Sequence, residues 1–199
     1  MLETLLYPGI LWCTIVYMSD NFSGADNQQE SLHTTFSLQE FGYYLAGFTD
    51  GEGSFNISFR KRKDYKFPWK VSACFNISQK EERILRFVQK TLGCGTLRSR
   101  PDGIWYYEAN TLNDIRNYVI PFFHRFKFIS QKKQRDFKIF CTIVDLLSRG
   151  VHLTKKGVIK ILDLRRIMND GGKRKYSEQD ILNAYGESSE TIRRTFRKG

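Results

Sequence analysis

Residues 45–53 read Leu-Ala-Gly-Phe-Thr-Asp-Gly-Glu-Gly, and the chain changes from helical to strand periodicity across this stretch. Before it, Ser37 and Glu40 have the spacing of a capping box, which predicts that a helix begins there. After it, polar and apolar residues alternate over residues 54–62, which predicts a strand with one buried and one solvated face. The sequence therefore predicts a helix that runs directly into a strand, with the acidic Glu52 at the junction.

Two glycines, Gly47 and Gly51, lie four residues apart and therefore on one face of the predicted helix. Glycine inside a helix costs about 1 kcal/mol relative to alanine. Because a missing side chain lets two backbones approach closely, we expect this face to pack against a second helix.

The rest of the chain alternates between paired strands and helices. Residues 70–78 repeat the two-residue alternation, and residues 96–100 and 104–109 predict a hairpin around Pro101-Asp102-Gly103. Because proline breaks a helix, we expect one of the helices to end before Pro121. The order αββαββα, continued by further helices, predicts an α+β fold with a four-stranded antiparallel sheet covered on one face by helices. Helical spacing predicts the later helices over residues 81–92, 112–119, 130–147 and 154–168.

The charge of the chain is strongly positive and unevenly distributed. Lys and Arg number 32 against 21 Asp and Glu, a net charge of +11. All 32 bases lie in residues 60–199, together with 14 of the acids. Such a field attracts polyanions and makes nucleic acid the first candidate partner, with a solvated basic surface as the alternative.

Several classes of protein are excluded by composition. The longest apolar stretch, residues 5–18, contains Pro8 and Gly9 and is shorter than the roughly 20 residues that a membrane span needs. The start of the chain has neither the basic region of a secretory signal nor the arginines of a transit peptide. The four cysteines follow neither a zinc pattern nor a disulfide framework, so we expect reduced thiols. Because the apolar stretch is too short for a span, we expect no membrane partner.

The sequence divides into three parts. Residues 1–37 are an apolar start followed by a polar linker, and we expect them to be poorly ordered. Residues 38–175 are the predicted folded domain. Residues 176–199 predict a basic helical tail, either a helix-turn-helix-like DNA-binding unit or a helical pair that packs on the domain.

The predicted strands share a polar face that suits DNA recognition. A twisted antiparallel sheet can lie in the major groove, where arginine favours guanine edges and asparagine favours adenine edges. The alternative is a sheet face that contacts solvent alone. The candidate DNA-binding residues are Asn56, Ser58, Arg60, Arg62, Lys70, Ser72, Asn76, Arg98 and Arg100.

The stretch Leu45–Gly53 resembles the signature motif of the LAGLIDADG homing endonucleases, and it continues into a strand as the family motif does. The resemblance covers residues 38–175. It implies a site-specific endonuclease that hydrolyses phosphodiester bonds of double-stranded DNA across the minor groove with a divalent metal, Mg²⁺. Four later segments resemble landmarks of this family in order and spacing: residues 76–80, 92–96, 120–123 and 132–137.

The acidic residues of the motif acquire roles through this resemblance. Glu52 matches the catalytic acidic position that binds the metal, and the Gly51 carbonyl matches a supporting metal ligand. Where two copies of the motif meet, their two Glu52 carboxylates repel each other unless a cation lies between them. Mg²⁺ suits this position because it prefers hard oxygen ligands. Asp50 matches an acidic position whose role is structural.

The other matching residues are polar or basic. Gln79 matches a catalytic-site residue that orders water, and Arg83 matches a basic residue of the same pocket. A lysine that faces the phosphate matches either Lys132 or Lys133, and the sequence leaves that choice open.

One copy of the motif provides half of an active site. The family contains two-motif monomers and single-motif homodimers, so we expect a homodimer through Gly47 and Gly51 and a long, nearly palindromic DNA target. Family members are typically encoded in introns of organellar genes, so we expect the protein to act in a mitochondrion or chloroplast.

Two other functions remain open at this point. A protein of the same fold could bind intron RNA as a maturase that assists splicing without cleavage, or it could regulate transcription. Glu52 and Gln79 favour the nuclease, because a protein that only binds nucleic acid has no need for a carboxylate suited to metal.

Overall fold

The computed structural model describes residues 37–62, 69–171 and 174–184. All but the last residue of the predicted leader, 1–37, lies outside these ranges, as do residues 185–199 of the tail.

Four strands form one antiparallel sheet in the order β1-β2-β4-β3. Strand β1 pairs with β2 along its whole length, from Gly53 opposite Ile77 to Lys61 opposite Trp69. Burial alternates along both strands, so one face packs against the helices and the other faces solvent. This arrangement confirms the predicted α+β fold. The strands are β1 (Gly53–Lys61), β2 (Trp69–Gln79), β3 (Thr96–Ser99) and β4 (Trp105–Ala109).

The helices cover the buried face of the sheet. None of those in the described ranges is both long and apolar enough to cross a membrane. They are α1 (Leu38–Glu52), α2 (Glu82–Leu92), α3 (Leu112–Asp114), α4 (Ile120–Arg125), α5 (Gln131–Ser148) and α6 (Lys155–Ile167), with a π turn at Ile115–Val119 and 3₁₀ turns at Val151–Leu153 and Met168–Gly171.

Helix α1 begins with the predicted capping box. The Ser37 hydroxyl accepts a hydrogen bond from the Glu40 N–H at 3.2 Å, and the Glu40 carboxylate accepts one from the Ser37 N–H at 2.8 Å. Phe41 and Leu45 are buried on the inner side of this helix. Because Glu52 ends α1 and Gly53 begins β1, the predicted direct junction of helix and strand is also confirmed.

Phe55 is the centre of the hydrophobic core. It is 1% exposed, and its ring centroid lies 5.1 Å from that of Phe75 on the neighbouring strand. Phe137 and Phe140 of α5 lie 5.2 and 5.0 Å from it, within the range of favourable aromatic pairs. The start of β1 and the start of α5 are therefore packed through the same ring.

The helix around Pro121 differs from the prediction. We expected it to end before this proline, but helical structure continues to Arg125. The Ile120 N–H donates to the Ile115 carbonyl, five residues back, in a π turn. This wider turn moves the preceding carbonyls away from the proline ring, and the buried Ile115 and Phe123 hold both sides of the turn in the core.

The described part of the tail packs on the domain. The Tyr176 ring lies edge-on to the Trp69 ring, with centroids 4.8 Å apart, and Ile181 is fully buried. These contacts agree with the packing interpretation of the tail. DNA binding by residues 185–199 stays a prediction, because those residues lie outside the described ranges.

The close approach of Gly42 to the Phe126 ring predicts a loss of stability in the Gly42→Ala variant. The added Cβ would lie well inside van der Waals distance of this buried ring. We expect the free energy of unfolding to fall by about 1–3 kcal/mol because the core becomes overpacked. Thr142→Ala, on the exposed side of α5, is the control and should change it by less than about 0.5 kcal/mol. Urea denaturation measures both variants, and equal effects would contradict the packing argument.

Candidate active site

The candidate site lies where α1 ends and β1 begins. Glu52 and Gly51 are exposed there, and the Gly53 N–H donates to the Thr49 carbonyl. A Cβ on Gly53 would collide with the Thr49 side chain, so this position requires glycine. The result is an acidic side chain at an open helix end, directly before a strand of the sheet.

Asp50 fastens this helix end to the start of α5. Its carboxylate accepts hydrogen bonds from the Ile129 N–H at 3.0 Å, the Ser130 N–H at 3.2 Å and the Ser130 hydroxyl at 2.8 Å. The Ser130 hydroxyl in turn accepts from the Lys133 N–H at 3.2 Å and caps α5. The first turn of α5 is thereby held beside the end of α1.

Lys133 is the lysine that reaches this junction. Its ammonium group donates to the Gly53 carbonyl, and its side chain is half-buried. Burial lowers the pKa of Lys133 below its usual value, although the Asp50 carboxylate acts in the opposite direction. A lysine in this place puts a positive charge next to the Glu52 helix end.

Lys132 points elsewhere. Its ammonium lies 2.6 Å from the Asp170 carboxylate, and this hydrogen bond raises the pKa of Lys132. Successive residues on a helix face different directions, so two adjacent lysines cannot both reach Gly53 in this way. The structure therefore places Lys133 rather than Lys132 at the α1–β1 junction, and which of the two faces the phosphate stays a prediction.

Gln79 lies at the end of the sheet that contains the junction, and Arg83 follows it on α2. Gln79 ends β2, two residues beyond Ile77, which is the partner of Gly53. Its side-chain oxygen accepts from the Lys80 N–H at 2.8 Å. Arg83 lies in the first turn of α2 and is exposed. The register thus brings Gln79 toward the α1–β1 junction, on an element other than α1 and α5.

The predicted DNA-binding residues of the strands lie on the solvent-facing side of the sheet. Asn56, Ser58 and Arg60 alternate with buried residues along β1, and Ser58 is opposite Ser72 in the register. The others on this side are Lys70, Asn76 and Arg98. Arg62 and Arg100 follow the ends of β1 and β3 rather than lying inside them.

Two further residues of this face were missed by the sequence analysis. Glu108 forms an ion pair with Arg98 and accepts a hydrogen bond from the Cys74 thiol at 3.3 Å. The Tyr106 hydroxyl accepts from Arg100, whose guanidinium also lies 5.0 Å from the centre of that ring. The two-residue alternation of β4 would have been the signal for both residues.

The oxygen donors at the junction suit a divalent metal but form an incomplete set. Glu52 contributes a carboxylate and Gly51 a backbone carbonyl, both hard ligands of the kind that Mg²⁺ prefers. Within the described ranges, no group of three or more His, Cys, Asp or Glu side chains is arranged to hold a metal ion. The cysteines in these ranges, Cys74, Cys94 and Cys141, are free thiols.

The fold and the site define a class of α+β protein in which an acidic helix end meets a lysine beside a polar, basic sheet face. The chain belongs to the LAGLIDADG endonuclease family, whose model matches residues 45–144. This match confirms the resemblance carried by Leu45–Gly53.

Comparison with individual proteins gives the same family. Probable intron-encoded endonuclease 2 of Neurospora crassa is 28% identical over 171 residues, which cover 83% of this chain and 37% of that protein. Homing endonuclease I-ApeII of Aeropyrum pernix is 29% identical over 147 residues, 70% of this chain and 86% of that protein. The crystal structure of the homing endonuclease I-TnaI matches with a TM-score of 0.62 over 74% of this chain and 97% of that one, and the two sequences are 29% identical. The chain thus spans little more than a third of the Neurospora protein.

Proposed function

We propose that this chain is a site-specific endonuclease that hydrolyses double-stranded DNA. The observation that carries the proposal is the family motif itself, which ends in the exposed Glu52 beside the contact between Lys133 and the Gly53 carbonyl. The names of the relatives, an intron-encoded endonuclease and a homing endonuclease, agree with it. The net charge of +11 also favours a polyanionic substrate.

Each site residue has a role in this proposal. Glu52 and the Gly51 carbonyl would hold Mg²⁺, which would supply the charge that activates water and stabilises the leaving oxygen. Gln79 orients the attacking water. Lys133 offsets the negative charge that builds up on the phosphate, and its half-buried position strengthens this interaction. Arg83 binds the same phosphate region.

The second half of the site comes from a second copy of this chain. Gly47 and Gly51 have nothing within 4 Å of an added Cβ among the described residues, so their face of α1 is open to a partner helix. Pairing two such helices through a two-fold axis brings together two Glu52 carboxylates and gives the metal its missing ligands. The same symmetry makes the DNA target nearly palindromic.

The solvent-facing side of the sheet reads the target in the major groove. Arginines on this face suit guanine edges, and the asparagines Asn56 and Asn76 suit adenine edges. The exposed Lys70 suits phosphate, because lysine is a compact point charge.

The gene context proposed for this protein is an organellar intron, and the protein then acts in a mitochondrion or chloroplast. The relatives named as intron-encoded support this proposal. An additional contact with intron RNA would be detected as RNA binding that persists when Glu52 is replaced.

The first test replaces the carboxylate at the junction. Glu52→Gln removes the charge that holds the metal but changes little volume, so cleavage should fall on the order of 100-fold or more while DNA binding is retained. Single-turnover cleavage of a duplex spanning the intron-free insertion site, with and without Mg²⁺, measures the effect. Asp145→Asn near the end of α5 removes an equal charge and should cleave normally. Cleavage at the wild-type rate by Glu52→Gln would end this assignment.

The second test addresses the paired helices. Gly47→Leu fills the open face of α1 and should yield monomers that no longer cleave, whereas Thr142→Leu places the same side chain on the exposed side of α5. Sedimentation equilibrium measures the mass of each variant. A Gly47→Leu monomer that cleaves at the wild-type rate would contradict the proposed dimer.

The third test addresses base recognition. Arg60→Ala or Arg98→Ala should lower the preference for one base pair of the target by about 1–3 kcal/mol. Competition binding against single-position variants of the target measures this preference, and Arg149→Ala at the end of α5 is the control. An arginine whose loss weakens binding to every sequence equally contacts phosphate instead.

A further inference from the structure

The exposed Asp170 carboxylate contacts two basic side chains next to the candidate site. Asp170 lies 2.6 Å from the Lys132 ammonium through one oxygen and 2.7 Å from the Arg135 guanidinium through the other. Lys132 and Arg135 lie in the first turns of α5, next to Lys133. All three side chains of this ion cluster are more than half exposed to solvent.

The backbone around Asp170 is fixed in an unusual conformation. Asn169 and Asp170 both have left-handed backbone angles, with φ values of 54° and 49°. Residues other than glycine adopt this conformation at an energetic cost and persist in it when neighbouring contacts hold them.

Asn169 supplies those contacts. Its N–H donates to the buried Asp136 carboxylate of α5 at 3.3 Å, and its side-chain amide donates to the Phe55 carbonyl of β1 at 2.8 Å. The turn is thereby tied to α5 and β1, two of the elements that form the candidate site. The backbone at Asp170 is consequently held in position against α5, with the exposed carboxylate directed at Lys132 and Arg135.

We propose that Lys132 and Arg135 form a binding site for a backbone phosphate of the DNA, and that the Asp170 carboxylate occupies this site until DNA displaces it. This proposal rests on the proposed function. A carboxylate and a phosphate both offer two oxygens to an ammonium and a guanidinium, so one can replace the other at the same donors. Lys132, which does not reach the Gly53 carbonyl, therefore contacts a backbone phosphate of the DNA.

The exposure of the cluster makes the exchange feasible. Ion pairs in solvent contribute little net free energy, so a phosphate delivered by the rest of the interface can replace Asp170 at small cost. A duplex that binds here must compete with the Asp170 carboxylate for the Lys132 and Arg135 side chains. The carboxylate therefore weakens binding to any duplex whose phosphate has to displace it.

Asp170→Asn tests the proposal directly. Asparagine tolerates a positive φ, so the turn should be preserved, and Asp170→Gly is a second variant that removes the same charge while also tolerating this backbone. The full-length protein is titrated onto a fluorescent duplex of unrelated sequence between 50 and 200 mM salt. We expect both variants to bind more tightly than the wild type at low salt. One net phosphate contact steepens the dependence of log affinity on log salt by about 0.9, so this advantage should fall about 3.5-fold across that range.

Two controls separate this site from a general effect of charge. Asp145→Asn removes the same charge at the other end of α5, where Asp145 pairs with Arg149, and its effect should be smaller. In a Lys132→Gln/Arg135→Gln background, removal of the Asp170 charge should give no additional affinity.

Each contrary result has a distinct meaning. Equal effects of Asp170→Asn and Asp145→Asn, or a gain that persists without Lys132 and Arg135, would overturn the phosphate site alone. A wild-type protein that binds no duplex DNA would overturn the proposed function together with this inference. Thermal unfolding of each variant verifies that it is folded at the temperature of the titration.

Discussion

The bond network of Asp50 determines how α1 and α5 meet, and the candidate site depends on that meeting. One carboxylate receives three hydrogen bonds from Ile129 and Ser130, and Ser130 caps the helix that carries Lys133. Hydrogen bonds to a charged group are stronger than neutral ones, so this contact holds the first turn of α5 beside the end of α1. In that position Lys133 donates to the Gly53 carbonyl and Lys132 pairs with Asp170.

Local patterns predicted the elements that carry the site, whereas contacts between distant residues decided its details. The capping box of α1 and the alternation along β1 and β2 depend on neighbours in sequence, and both were confirmed. The continuation of the helix through Pro121 depends on burial of a π turn, which no local rule gives. The sequence could not distinguish the surroundings of Lys132 and Lys133 because both are basic, and their different contacts depend on how α5 packs beside α1. Asp170 carries no local signal, since Arg135 lies 35 residues away in the chain.

The four glycines in and directly after α1 are present for two different reasons. Gly42 and Gly53 are required within the chain, because a side chain there would collide with Phe126 or Thr49. Gly47 and Gly51 meet nothing in the described part of the chain, although each weakens the helix. The pattern of spacing in the sequence could not distinguish these cases. The atoms around each Cα distinguish the two pairs. They indicate that Gly47 and Gly51 are there for contact with a surface outside the described residues.

The absence of a loop between α1 and β1 has a consequence for how such a protein can acquire a new target. Asn56 follows Glu52 so closely that, under the proposed base readout, a backbone shift accommodating a different base pair would also displace the acidic group. Arg60 and Lys70 pair at the opposite end of the hairpin, eight residues beyond Glu52 on β1, and can be exchanged without that penalty. Under the proposed function, base pairs contacted by the far end of the hairpin should therefore change more readily among descendants of this protein than those nearest Glu52.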